Sequence, residues 1–69
     1  MTFTIGQRIR TTCDIDFVED GYSAPRGTFG TVTACNTWPS ESAGTYGVVL
    51  DTDPKHLPTL CWPEDITPA

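Results

Sequence analysis

Basic residues are scarce in this chain. Four Lys+Arg stand against nine Asp+Glu, for a net charge of −5. Nucleic-acid binders draw most of their affinity from Lys and Arg neutralising phosphates, so non-specific DNA or RNA binding is disfavoured. Long apolar runs are also missing. No stretch approaches the roughly 20 apolar residues a membrane-crossing helix needs, and no membrane partner is expected. The opening Met1-Thr2-Phe3-Thr4-Ile5 has no basic region leading into an apolar run, which argues against a secretory signal. Histidine occurs once. No Ser-His-Asp set can be assembled, no glycine loop is built to cradle phosphate, and 69 residues leave no room for a large cleft with its own supporting shell. Catalysis finds no support.

Cysteines are few and unpaired in spacing. Cys13, Cys35 and Cys61 lie 22 and 26 residues apart, and His56 precedes Cys61 by five. Structural zinc sites usually bring ligands in close pairs, because one tight turn then supplies two at once. No metal or other cofactor is expected. An odd cysteine count suits a reducing, cytoplasmic setting, with the thiols acting as small buried or half-buried hydrophobes.

What is present favours strands. Twelve Thr, four Val and four Ile make 20 β-branched residues, against 13 for Leu, Ala, Lys, Glu, Gln and Met together. Six Gly and six Pro cut the chain into short pieces. Between Gln7 and Asp20, Arg8, Arg10, Thr12, Asp14 and Asp16 share one phase. Ile9, Thr11, Cys13, Ile15 and Phe17 share the other, which predicts one half-buried strand. A loop through residues 19–25 follows, then a strand over Thr28–Cys35 with Val32 and Ala34 in one phase and Phe29 in the other. Residues 36–44 read as a polar turn around Trp38. A third strand spans Thr45–Asp51, with Tyr46, Val48 and Leu50 facing one way. Asp51-Thr52-Asp53-Pro54 is a turn with Asx chemistry at its aspartates. A short strand over Thr59–Trp62, one 3₁₀ turn near residues 63–66 and a terminal strand stub complete the pattern. Five short strands in one domain, residues 1–69, predict an all-β fold curled into a small barrel lined by Ile9, Val32, Val48 and Leu50. Phe3, Phe17, Tyr46 and Trp62 would belong to that core or plug the barrel ends.

The order of these signals resembles bacterial SH3-like barrels. Ile5-Gly6-Gln7-Arg8-Ile9-Arg10 is similar to their "V-G-D-R-V-R" opening, and Pro25-Arg26-Gly27-Thr28-Phe29-Gly30-Thr31-Val32 to "P-x-G-x-x-G-T-V". Tyr46-Gly47-Val48-Val49-Leu50-Asp51 resembles "Y-x-V-x-x-D", and Trp62-Pro63-Glu64-Asp65-Ile66 the closing "V-P-x-x-x-L". The likeness spans residues 5–68 and points to the superfold rather than to one family within it. Such barrels include KOW-type modules of ribosome and transcription proteins, the β-subunit barrel of nitrile hydratase and stand-alone bacterial or phage proteins. The resemblance implies a non-catalytic module that docks on another macromolecule; the fold alone licenses no function. RNA-holding KOW modules are basic and this chain is acidic. The position of Phe29, which points away from the core, is commonly polar or basic in these barrels.

These readings leave three functions open. One is a protein-interaction module, an adaptor or accessory subunit of the kind phages and mobile elements encode. Its patch would combine Tyr22, Phe29 and Trp38 with the acids Asp14, Asp16, Glu19, Asp20 and Glu41, to accept a basic or Pro-rich segment. A second is a KOW-like nucleic-acid or ribosome-associated module using Arg8, Arg10, Arg26 and Lys55. A third is an accessory subunit of a metalloenzyme complex, lending rigidity and holding no metal itself.

Overall fold

A computed structural model describes residues 2–17, 22–36 and 44–69, with Phe17 and Tyr22 as backbone alone. The described residues form seven strands: β1 (Arg8–Thr11), β2 (Ile15–Phe17), β3 (Tyr22–Ala24), β4 (Phe29–Cys35), β5 (Tyr46–Leu50), β6 (Pro58–Cys61) and β7 (Ile66–Pro68). One 3₁₀ turn, Pro63–Asp65, leads into β7. Strands β6-β5-β4-β1-β7 make one antiparallel sheet in that order, and β2-β3 form a separate hairpin. The fold is all-β, as the composition requires. Among the described residues no ladder joins β6 to β7, so the five-stranded sheet is open where the sequence predicted closure. No described helix is long and apolar enough to cross a membrane.

The single strand expected over residues 7–20 is instead two. Its break has a clear cause. The Thr12 N–H donates to the Asp65 carbonyl at 2.9 Å and its hydroxyl to the Glu64 carbonyl at 2.6 Å, tying residue 12 to the 3₁₀ turn. Asp14 Oδ1 accepts the Arg26 N–H at 2.7 Å. These bonds bend the chain between β1 and β2 and reset the alternation. Ile9 and Thr11 remain inside, but Cys13 is exposed. The loop expected over residues 19–25 contributes β3, because Ser23 and Ala24 pair with Asp16 and Ile15.

Phe3, Ile9, Ala24, Val32, Val48, Leu50, Cys61 and Ile66 build the core, with Ile15 and Tyr46 packed against it. The four residues expected to line it, Ile9, Val32, Val48 and Leu50, are each at most 1% exposed. Phe3 closes one side. Its ring meets Tyr46 edge-on at 5.2 Å between centroids, and its N–H donates to the Tyr46 hydroxyl at 3.3 Å. Gly30 pairs with Ile9 on one side and Leu50 on the other. A Cβ there would stand 2.8 Å from the Val49 carbonyl oxygen, so only glycine fits.

Two expectations about burial fail. Trp62 is 53% exposed and plugs nothing. Cys61 pairs with Tyr46 and faces inward, so simple alternation turns its neighbour Trp62 outward. Of the three thiols only Cys61 is buried; Cys35 is exposed like Cys13.

The loop after β5 is organised by Asp53, which is buried. Its Oδ1 accepts the Lys55 N–H at 2.9 Å and its Oδ2 the Leu57 N–H at 3.2 Å. This is the Asx chemistry the sequence predicted. Asp51 does something else.

Candidate docking surface and charged clusters

Register decides which side chains share the outer face of the sheet. Val48 and Leu50 face the core, so Gly47 and Val49 face away from it. Val49 lies opposite Thr31 on β4 and Pro58 on β6, and Gly47 opposite Leu60. Phe29 and Thr31 share a phase, as do Pro58 and Leu60. One face therefore carries Phe29, Val49, Pro58 and Leu60. Trp62 continues the phase of Leu60, since its backbone is still extended at φ −76 and ψ 156. Phe29 is 49%, Leu60 60% and Trp62 53% exposed. Gly47 offers Leu60 no side chain to pack on, and the Trp62 ring lies over Gly44, 3.9 Å from where a Cβ would be. A single exposed apolar residue is ordinary. Leu60, on edge strand β6, and Trp62, one residue past its end, instead form an apolar strip on one side.

This strip differs from the patch expected from sequence. Phe29 is exposed as predicted. Tyr22 lies in the hairpin, opposite Phe17, and so belongs to a different sheet from Phe29. Trp38, Glu19, Asp20 and Glu41 lie outside the described residues. Asp14 and Asp16 are exposed and come together, lining a hollow of about 190 Å³ with Ser23, Ala24 and Pro25. Leu60 and Trp62 were missed. The signal was there: once Tyr46 and Cys61 are both inward, residues 60 and 62 must face out.

The four cations differ in what surrounds them. Arg8 grips Asp51 with both fork nitrogens, at 2.9 and 2.6 Å, and also donates to Thr31 Oγ1 at 2.8 Å. The Arg8 guanidinium holds the Asp51 carboxyl below its usual range, and the same bond raises Arg8. Arg8 is thereby engaged in a surface ion pair. Arg10 and Arg26 line one hollow of about 150 Å³ together with Thr11, Thr12, Gly27 and Thr67. Lys55 sits in the Asp53 loop, away from that hollow's lining.

The cysteines divide by environment. Burial, with the nearby Asp65 and Cys13 as smaller causes, pushes the Cys61 thiol up to about 11. Cys13 Sγ lies 3.7 Å from Asp65 Oδ1, and its thiol is raised by partial desolvation first and by that carboxylate second. Thiolate, not thiol, attacks electrophiles. Iodoacetamide at pH 8 should therefore modify Cys13 and Cys35 in the folded protein and spare Cys61, which reacts only in denaturant. Intact-mass spectra count the adducts; a third adduct on the native chain would show that Cys61 is not sealed. Among the described residues, no three His, Cys, Asp or Glu side chains gather as metal ligands.

No family model, no curated protein and no solved structure matches this chain.

Proposed function

We propose that this chain is a non-catalytic, SH3-like interaction module that docks on a protein partner through the outer face of its sheet. The observation that carries the reading is the exposed Leu60–Trp62 strip along and just past the end of edge strand β6, with Phe29 on the same face. Apolar side chains without cover on an edge strand are a liability in a free monomer, and a partner that covers them removes the liability. The SH3-like reading is supported by the strand order β6-β5-β4-β1-β7, which sets first and last strands side by side, and by the 3₁₀ turn that leads into β7. The net charge of −5 favours a partner whose apolar patch is ringed by Lys and Arg.

The pairing of Arg8 with Asp51 weighs against the nucleic-acid alternative, because it removes one of only four cations from phosphate contact. Affinity capture from the source lysate tests the docking reading. Wild type should retain a partner that Leu60→Ala/Trp62→Ala loses by about thirtyfold or more, the effect of removing a hot-spot aromatic. Equal capture by both proteins would rule out the strip.

A further inference from the structure

We infer that the hollow between Arg10 and Arg26 binds a phosphate-class oxyanion. The inference does not rest on the docking reading: the hollow's lining residues lie outside the Leu60–Trp62 strip, although Arg10 stands opposite Phe29 on the same sheet face. Arg8, Arg10 and Arg26 are the chain's only arginines. Among the described residues, Arg8 alone has a carboxylate within ion-pairing reach. Arg10 and Arg26, which have no such partner among the described residues, line the same hollow.

The donors in the hollow are specific. Its main-chain N–H groups are already used: Thr11 donates to the Thr28 carbonyl, Thr12 to Asp65, Gly27 to Thr11, and Arg26 to Asp14. The Thr12 hydroxyl is committed to Glu64. What remains is two guanidinium forks and the Thr67 hydroxyl. The forks come from different elements. Arg10 stands on β1, between its register partners Phe29 and Thr67, and Arg26 on the turn before β4. A planar carboxylate is satisfied by one fork, whereas a tetrahedral anion presents oxygens to both. The hollow, about 150 Å³, holds one such group and not an extended chain of them. The exposed Asp14 and Asp16 in the neighbouring hollow would repel a polyanion laid across this end.

An amide-resolved NMR titration with inorganic phosphate, against chloride at matched ionic strength, tests the site. Saturable shifts should centre on the Thr12, Gly27 and Thr67 amides. Arg10→Gln and Arg26→Gln should each weaken binding by about tenfold, as loss of a charge-assisted contact predicts, and Arg8→Gln should leave it unchanged. All three side chains are exposed, and far-UV circular dichroism verifies that each variant is folded. Shifts no larger than those from chloride, or shifts that survive in both variants, overturn the proposal. A phosphoserine peptide or adenosine monophosphate that binds at the same amides upholds the site and names the source of the group. Binding of an RNA oligonucleotide that needs Arg8 and Lys55 as much as Arg10 and Arg26 overturns it, because the cations would then act as one stripe.

Discussion

Replacing Gly30 with alanine should destabilise the domain by about 2–3 kcal/mol, an overpacking cost that the stiffer unfolded chain offsets only in part. The new methyl would meet the Val49 carbonyl oxygen at 2.8 Å, Val48 Cγ1 at 3.0 Å and Leu50 Cδ2 at 3.1 Å. The leucine tip has some freedom to move. The backbone oxygen has none without parting β4 from β5, the strands that hold the middle of the sheet. For a domain this small, each kcal/mol lowers the melting temperature by about 4–8 °C, so Gly30→Ala should melt roughly 10–20 °C below wild type. A drop of only a few degrees in a thermal scan would mean that the β4–β5 ladder yields easily and that the tight approach is unimportant.

Ile9→Ala should cost about 2–5 kcal/mol, the range for deleting a large aliphatic side chain from a closed core. Ile9 has no exposed surface and lies between Gly30 of β4 and Pro68 of β7. Its side chain joins the central ladder to the terminal strand, and an alanine leaves a void beneath both. A chain of this length has a total stability of about 3–10 kcal/mol, so this variant should lose a large share of it. Urea titration of Ile9→Ala beside Ile9→Val makes the comparison; the valine variant should lose only about 0.5–1.5 kcal/mol. Similar midpoints for the two would place Ile9 outside the cooperative core. Gly30 and Ile9 are register partners, so their combined effect should depart from the sum of the two.

Legibility in the sequence followed the range of the interactions involved. The faces of β1 and of β4 as far as Val32 were readable because alternation is a local property: Ile9 in and Arg8 out, Val32 in and Phe29 out; past Val32 a register shift sets Ala34 opposite Gly47 and breaks the phase. The core lining was readable for the same reason. The break after Thr11 was not, because it is made by Asp65, Glu64 and Arg26, far along the chain from residues 12–14. Cys13 and β3 were misjudged by that one unseen bend. Trp62 failed differently: its size argued for burial, but its phase beside Cys61 decided the matter. For the charged groups, residue type gave the candidates and the ladder chose among them. Arg8 and Arg10 look alike as a pair of cations on one face. Only the placement of Asp51 against Arg8 separates a paired arginine from an available one.

The adjacency of β1 and β7 has a consequence for synthesis. Ile9 pairs with Pro68, and the Ala69 N–H donates to the Arg8 carbonyl at 3.1 Å, so the ladder zips together distant parts of the chain. Contacts of such long loop closure form late and slowly. While the ribosome still holds residues 66–69, the emerging polypeptide has β1 with one open flank and Ile66 missing from its interior. Native assembly must therefore wait until that stretch has cleared the exit tunnel, and until then a chaperone would meet an unfinished sheet.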